Sequence, residues 1–163
     1  RGITKFEPQP ADIAALIEQS VQQLKDSAAL KGIKLEYEYP GSIVSDIDSK
    51  MMESVLRNLI SNAIKFTMKD GAVRISAKLT ENGEIRIEVA DNGIGMSPEE
   101  LDKLFKIDVK VGSRGTEGEE STGLGLLLIK EFIDIHKGKI FAESIQGKGT
   151  TFIVVIPLIN NRV

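Results

Sequence analysis

The chain of 163 residues contains no cysteine and only one histidine. Without cysteine, disulfides, thiolate zinc sites and a cysteine nucleophile are excluded, and a single histidine excludes a metal site built from several histidines. The net charge is -3 and the basic residues are scattered, so we expect no nucleic-acid partner. The longest apolar runs, such as 152–158, are too short to span a bilayer. We therefore expect no membrane contact by this chain and a cytoplasmic location.

The length suits one compact domain. Residues 1–10 are polar and contain two prolines, which predicts an extended connecting segment. We expect the domain itself to occupy 11–158, followed by a C-terminal tail at 159–163. Because the chain begins with Arg1 rather than methionine, we expect it to be an excised piece of a longer protein.

Apolar periodicity predicts three main helices and at least five strands. The helices are predicted at 12–32, 48–67 and 124–136, and the strands at 33–39, 42–46, 73–79, 85–89, 139–144 and 150–157. The glycine-rich stretch 91–125, broken by a short helix at 98–105, is predicted to be a long functional loop. The pattern predicts an α+β fold, a two-layer sandwich in which about three helices cover one face of a mixed sheet of five or more strands.

The second predicted helix carries a polar stripe beside its apolar face. Asn58, Asn62 and Lys65 follow at i, i+4 and i+7 and therefore share one side of the helix. Amide oxygens can bind Mg²⁺, and an ammonium group can bind phosphate. A solvated helix face would show the same pattern, so the stripe alone leaves both interpretations open.

Three glycine motifs follow in the chain: 91–95 (Asp-Asn-Gly-Ile-Gly), 122–126 (Thr-Gly-Leu-Gly-Leu) and 147–150 (Gly-Lys-Gly-Thr). The first follows a predicted strand and could recognise a base through its carboxylate. The second opens a helix, where free backbone N–H groups favour anions. Taken alone, the first and last motifs are more typical of a plain turn and the second of a flexible helix start, and neither a Walker P-loop nor a complete Gly-x-Gly-x-x-Gly is present.

In this order, the motifs resemble the boxes of the GHKL ATP-binding family, which has the Bergerat ATP-binding fold, and specifically the catalytic domains of sensor histidine kinases. Residues 57–67 resemble the N box, 91–95 the first glycine box, 104–105 the F box, 122–126 the second glycine box and 147–150 the last. The resemblance covers about 6–157, nearly the whole chain.

The resemblance implies roles for individual residues. Asp91 would accept the adenine amino proton, Asn62 would bind Mg²⁺ with Asn58 alongside, Lys65 would contact phosphate and Phe66 would pack beside adenine. The remaining nucleotide-binding positions that it implies are Gly93, Gly95, Thr122, Gly123, Leu124, Gly125 and Thr150. Lys110 and Arg114 would contact phosphate from a mobile lid between residues 105 and 123, whose acidic stretch 118–120 we expect to face solvent.

One position distinguishes branches of this superfamily. Gyrase-like and mismatch-repair ATPases carry a glutamate that activates water one helical turn before the Mg²⁺-binding asparagine. This chain has Asn58 there, and an amide cannot take a proton from water. The resemblance therefore favours a protein histidine kinase that transfers the γ-phosphoryl group of Mg-ATP to a histidine in two-component signalling. A serine kinase, an ATPase and a non-catalytic nucleotide-sensing module remain alternatives.

The implied partners are the dimerisation and histidine-phosphotransfer domain of the same parent protein and a response-regulator receiver domain. The parent could be soluble or membrane-anchored. The family's acceptor-histidine motif is absent from this sequence, so we expect the isolated chain to be monomeric and not to phosphorylate itself. We interpret His136 as structural or solvent-facing. Lys137 replaces a glycine common in relatives, and a positive φ there would cost about 1 kcal/mol.

Overall fold

The computed structural model describes residues 5–105 and 124–161. The predicted roles of Lys110, Arg114, Thr122 and Gly123 therefore fall outside the described residues. The elements in chain order are β1 (Gln9–Asp12), α1 (Ile13–Leu30), β2 (Lys34–Tyr37), β3 (Val44–Ile47), α2 (Ser49–Lys65), β4 (Ala72–Leu79), β5 (Glu84–Asp91), α3 (Pro98–Asp102), α4 (Leu124–Ile135), β6 (Lys139–Ile145) and β7 (Gly149–Pro157).

The main sheet has five strands in the order β2-β4-β5-β7-β6. β2 runs parallel to β4, whereas the other three pairings are antiparallel. β1 and β3 form a separate two-stranded antiparallel sheet. The predicted α+β architecture with a mixed sheet is confirmed, as is the antiparallel hairpin of β4 and β5.

One face of the main sheet supplies much of the core. Strand residues alternate between buried and exposed because successive side chains point to opposite faces. The buried members on the central strands are Val73, Ile75, Ala77, Ile85, Ile87, Val89, Phe152, Val154 and Ile156. Helices α1, α2 and α4 pack in one layer with this face. Among the described residues no helix is both long enough and apolar enough to cross a membrane.

Helix α2 lies at the centre of the helical layer. Its N-terminus is capped by Asp48, whose carboxylate accepts a hydrogen bond from the backbone N–H of Met51, as its sequence predicts. The predicted apolar face is confirmed: Val55, Leu56, Leu59, Ile60 and Ala63 are all buried. Burial of each larger member contributes roughly 1.5–3 kcal/mol. These contacts fix the orientation of the polar stripe on the same helix.

The ammonium of Lys31 stabilises the other end of α2. Its Nζ donates to the carbonyl oxygens of Ile64 at 3.0 Å and Lys65 at 2.8 Å. A helix C-terminus leaves carbonyl groups without intrahelical partners and carries partial negative charge. Lys31 therefore fixes the last turn of α2, the turn that leads directly to Phe66.

The prediction of a purely connecting segment over 1–10 was incomplete. Residues 9–12 form β1, so the predicted boundary at residue 10 falls inside a strand. At the other end of the chain, Asp46 donates its backbone N–H to the carbonyl of Ile159 at 2.8 Å. The backbone N–H of Ile159 donates to the hydroxyl of Ser45 at 2.9 Å. The start of the predicted tail thus runs beside β3.

His136 is buried, with 5% of its surface exposed. Its Nε2 accepts the backbone N–H of Asp48 at 3.1 Å, and its Nδ1 lies 2.8 Å from the carbonyl oxygen of Phe132. Because a carbonyl can only accept, Nδ1 carries the proton. Phe6 packs edge-on against the ring at 5.1 Å. The structural interpretation is confirmed and the solvent-facing alternative is wrong: His136 connects the end of α4 to the start of α2.

Lys137 adopts φ = 60° in the turn that follows α4. This left-handed conformation crowds the Cβ of an L-residue, whereas glycine has no such conflict. The positive φ considered from the sequence is therefore present, and its cost in stability stays a prediction.

We expect Lys137→Gly to raise the free energy of unfolding by about 1 kcal/mol, because glycine removes the left-handed strain. Urea denaturation measures the change. The matched control is Lys103→Gly, since Lys103 also follows a helix C-terminus but has φ = -95°. The control should not gain stability, and an equal gain in both variants would contradict the explanation.

Candidate functional site

Four residues form a row across the helix-facing side of the main sheet. Val73 pairs with Asp91, Asp91 pairs with Thr150, and Thr150 pairs with Ser144. Directly paired residues on adjacent strands share one face, and Val73 on that face is fully buried. The row therefore places a carboxylate and two hydroxyls side by side at one end of the sheet.

The carboxylate of Asp91 is held by one of its two oxygens. Oδ1 accepts the backbone N–H of Gly93 at 2.9 Å and that of Thr150 at 3.2 Å. Burial raises the pKa of Asp91 above its ordinary value of 3.8, and the two backbone hydrogen bonds oppose that increase. Within the described residues, Oδ2 accepts no hydrogen bond. An ionised carboxylate can accept more than two hydrogen bonds in total. The carboxylate therefore has accepting capacity for a ligand.

The loop after β5 lies directly against the end of α2. Ile94 donates its backbone N–H to the carbonyl of Phe66 at 3.0 Å. A Cβ at Gly93 would overlap the same carbonyl oxygen, so only glycine permits this approach. Gly95 follows with φ = 67°. The backbone of Phe66, which caps α2, is thereby brought against the loop that follows Asp91.

The polar stripe of α2 meets the start of α4. The Nδ2 of Asn58 donates to the carbonyl of Ser54 at 2.8 Å. A Cβ at Gly125 would lie 3.7 Å from the Oδ1 of Asn58. Because the amide nitrogen is committed to Ser54, the oxygen of Asn58 is the atom directed toward α4. Gly125 therefore lies beside the polar stripe of α2, and its role in nucleotide binding stays a prediction. For Leu124 the structure describes only the backbone, as the first residue of α4.

Asn62 and Lys65 continue the stripe toward Phe66, and both are half-buried. Lys65 also borders a cleft of about 280 Å³ between α1 and α2, which Lys31 and Ser61 line as well. None of the residues lining this cleft belongs to the row at Asp91. The cleft is thus a separate feature from the site built by the motifs.

The oxygen donors of the stripe suit a hard cation. Mg²⁺ prefers oxygen ligands and keeps several waters or phosphate oxygens, so it needs few protein side chains. The amide oxygens of Asn58 and Asn62 fit that requirement. Within the residues that the structure describes, no group of three or more acidic or histidine side chains could hold a metal by itself. A metal at this site would therefore depend on a ligand that brings its own oxygens.

Sequence reasoning missed two residues that hold the site together. The Oδ1 of Asn92 accepts the backbone N–H of Ala72 at 2.9 Å and so ties the loop after β5 to β4. The Oγ of Ser144 accepts the N–H of Met96 at 2.8 Å. Ser144 could have been found by pairing β6 with β7 across the predicted turn, which places it opposite Thr150.

Comparisons with known proteins agree with this arrangement. The family of histidine kinase-, DNA gyrase B- and HSP90-like ATPases matches residues 47–160. A non-motile and phage-resistance protein of Caulobacter vibrioides is 35% identical over 157 residues, which are 94% of this chain and 18% of that protein. The chain thus spans less than a fifth of that relative.

Two solved structures extend the likeness. The nucleotide-free catalytic domain of histidine kinase ThkA superposes with a TM-score of 0.81 at 26% identity, covering 94% of this chain and 97% of that one. Full-length ShkA in complex with AMPPNP gives a TM-score of 0.79 at 25% identity, covering 99% of this chain and 33% of that one. The motifs, their assembly at one end of the sheet and the match over 47–160 together show that this chain belongs to the family of histidine kinase-, DNA gyrase B- and HSP90-like ATPases.

Proposed function

We propose that this domain binds Mg-ATP and donates the γ-phosphoryl group to a histidine on a separate dimerisation domain of its parent protein. The observation that carries the proposal is the half-buried carboxylate of Asp91 at the end of β5, whose Oδ1 accepts two backbone N–H groups. An amino group of a purine is a donor of the kind that the remaining accepting capacity requires.

The base would lie between the sheet row and the end of α2. Asp91 would accept the amino group of adenine, Gly93 and Gly95 would shape the wall, and Phe66 would pack beside the ring. Thr150 would border the base from β7. Full-length ShkA, which contains this fold, was solved in complex with AMPPNP, and this supports the proposal that the chain binds a nucleotide.

The phosphates would extend along α2 toward the start of α4. Asn62 and Asn58 would contribute oxygen ligands to Mg²⁺, and Lys65 would contact phosphate. Leu124 and Gly125 would approach the phosphates through the backbone of the first turn of α4, where the helix dipole favours anions. Lys110, Arg114, Thr122 and Gly123 are proposed as further contacts from the loop that precedes α4. When bound, Mg²⁺ would neutralise phosphate charge and orient the γ-phosphoryl group.

Asn58 favours phosphoryl transfer over rapid hydrolysis. Its Nδ2 is hydrogen-bonded to Ser54, and an amide has no basic site for a water proton. The domain would therefore act by positioning ATP and by charge stabilisation, which are the main contributions to phosphoryl transfer. In an ATPase of this family, a general base would be needed at this position.

The partners follow from this reaction. A histidine-bearing dimerisation domain elsewhere in the parent protein would accept the phosphoryl group and pass it to a response-regulator receiver domain. We propose that the isolated domain is a cytoplasmic monomer that does not phosphorylate itself. γ-Labelled ATP should label the full-length parent on histidine, giving an acid-labile, alkali-stable product. An acid-stable product would instead indicate a serine kinase.

Asn62→Ala should weaken ATP binding about tenfold in the presence of Mg²⁺ and change it little without Mg²⁺, because the variant loses a metal ligand. Calorimetric titration measures both affinities. The unaltered domain should bind in the micromolar to submillimolar range, about -5 to -8 kcal/mol. Asn82→Ala, in the turn between β4 and β5, is the matched control and should leave both affinities unchanged. Equal losses with and without Mg²⁺ would contradict the metal-binding role.

A further inference from the structure

The hydroxyl of Ser144 lies where three segments meet. Its Oγ is 2.8 Å from the backbone nitrogen of Met96, in the loop after β5. It is also 2.9 Å from the carbonyl oxygen of Gly149 and 2.8 Å from the Oγ1 of Thr150, both on β7. One side chain on β6 therefore contacts the loop beside Asp91 and the strand that carries Thr150.

The direction of these hydrogen bonds follows from counting protons. A backbone N–H can only donate and a carbonyl oxygen can only accept, whereas a serine hydroxyl has one proton. All three contacts lie within hydrogen-bond distance, and the assignment that satisfies all of them has Ser144 accepting from Met96 and giving its proton to Gly149. The contact between Ser144 and Thr150 is then a hydrogen bond only if Thr150 donates. The hydroxyl of Thr150 consequently keeps only lone pairs for any other partner.

Thr150 lies between Ser144 and Asp91 in the row across the sheet. Its backbone N–H donates to the Oδ1 of Asp91 at 3.2 Å. The row thus offers a ligand the carboxylate of Asp91 and the lone pairs of the Thr150 hydroxyl, whose proton is donated to Ser144. An adjacent ligand group that donates a hydrogen bond would be favoured, and one that only accepts would be excluded.

We propose that Ser144 is a positioning residue for base selection: it holds the Thr150 hydroxyl as an acceptor, so that the site takes purines with a 6-amino group and rejects purines with a 6-carbonyl group. This inference rests on the proposed nucleotide site. Asp91 would contact the base directly, and Ser144 would act through Thr150. Without Ser144, the hydroxyl of Thr150 could rotate and donate to a carbonyl group.

The test compares binding of ADP and inosine diphosphate, which differ at position 6 and at the adjacent ring nitrogen. Calorimetry on the unaltered domain should show a strong preference for ADP. Ser144→Ala should reduce the ratio of the two affinities about tenfold, the effect of one hydrogen bond. Ser144→Thr, which keeps the hydroxyl, should restore the ratio. Ser76→Ala, on the exposed face of β4, is the matched control and should not alter it.

A double-mutant cycle tests the route through Thr150. If Ser144 acts through that hydroxyl, adding Ser144→Ala to Thr150→Val should leave the ratio at the value of Thr150→Val alone. Should Ser144→Ala unfold, Ser144→Cys carries the same comparison, because it keeps the approximate size with a weaker hydrogen-bonding group.

The outcomes separate the inference from the proposed function. If the unaltered domain binds neither nucleotide, the proposed nucleotide site and the role of Ser144 are both contradicted. If it binds ADP but Ser144→Ala leaves the ratio unchanged, or weakens both nucleotides equally, the nucleotide site stands and the role of Ser144 is overturned. If Ser144→Ala reduces the ratio of ADP to inosine diphosphate affinity and Ser144→Thr restores it, the role of Ser144 is supported.

Discussion

Asp91→Asn should weaken ATP binding by about a hundredfold or more. The new amide oxygen can still accept the N–H groups of Gly93 and Thr150, but the amide nitrogen would then replace Oδ2. It would present hydrogen atoms to the amino group of adenine, and sites built to pair with a polar group discriminate strongly against a mismatch. Calorimetric titration of the variant with ATP measures the loss. A variant that bound ATP normally would remove Asp91 from the site.

The same variant should keep its fold. Burial raises the pKa of Asp91, so between the ordinary and the raised pKa the folded state holds more protons than the unfolded state. The contribution of Asp91 to stability therefore falls as pH rises through that window, and the cost of the buried charge is fully present above it. Asparagine carries no such charge. We expect Asp91→Asn to be at least as stable at pH 7, with its advantage shrinking as the pH is lowered.

Chemical denaturation at several pH values distinguishes a binding role from a structural one. If Asp91→Asn lost stability at pH 7, the charge of the carboxylate would be holding the loop at Gly93 in place. ATP affinity of the unaltered domain should fall on acidification at a higher pH than an ordinary aspartate would give, because a protonated Asp91 accepts fewer hydrogen bonds.

Gly149→Ala should lower the free energy of unfolding by more than about 3 kcal/mol. Gly149 has φ = 137°, and a Cβ there would overlap the carbonyl oxygen of Asp91. The variant would thus combine backbone strain with a clash against the neighbouring strand, and β7 would have to move away from β5. The midpoint of urea denaturation measures the loss.

Gly147→Ala separates the two causes. Gly147 has φ = 83°, yet a Cβ there would meet no atom within 4 Å. This variant should lose only about 1 kcal/mol, the cost of a left-handed conformation in an L-residue. If both variants lost equal stability, the close approach of Gly149 to Asp91 would contribute nothing beyond strain.

Local patterns were sufficient to predict the main helices and most of the strands. Asp12 and Asp48 cap α1 and α2 as predicted, because capping needs only the side chain and the backbone a few residues later. The alternation of β4 and β5 predicted their pairing. The residues around Asp91 were identified by resemblance, and their roles in binding stay predictions.

Features that depend on distant contacts were missed. The burial of His136 requires α4 to end beside the start of α2, and no local pattern specifies that contact. The role of Ser144 depends on the register between β6 and β7, whereas its own neighbours indicate only an alternating strand. β1 was missed because prolines disfavour strands, and residues 106–123 fall outside the described structure.

Pro10, which made β1 hard to predict from the sequence, also affects how easily this strand could associate with other chains. An unpaired strand edge is a template for association with other chains. Pro10 pairs with Asp46, whose N–H points to Ile159 on the far side of β3. In such an antiparallel pair both backbones point their polar groups outward, so the missing N–H of Pro10 falls on the outer edge of β1. β3 is covered on one side by β1 and on the other by the segment at Ile159. The outer edge of β1 lacks the backbone N–H of Pro10, a donor that an added strand would need.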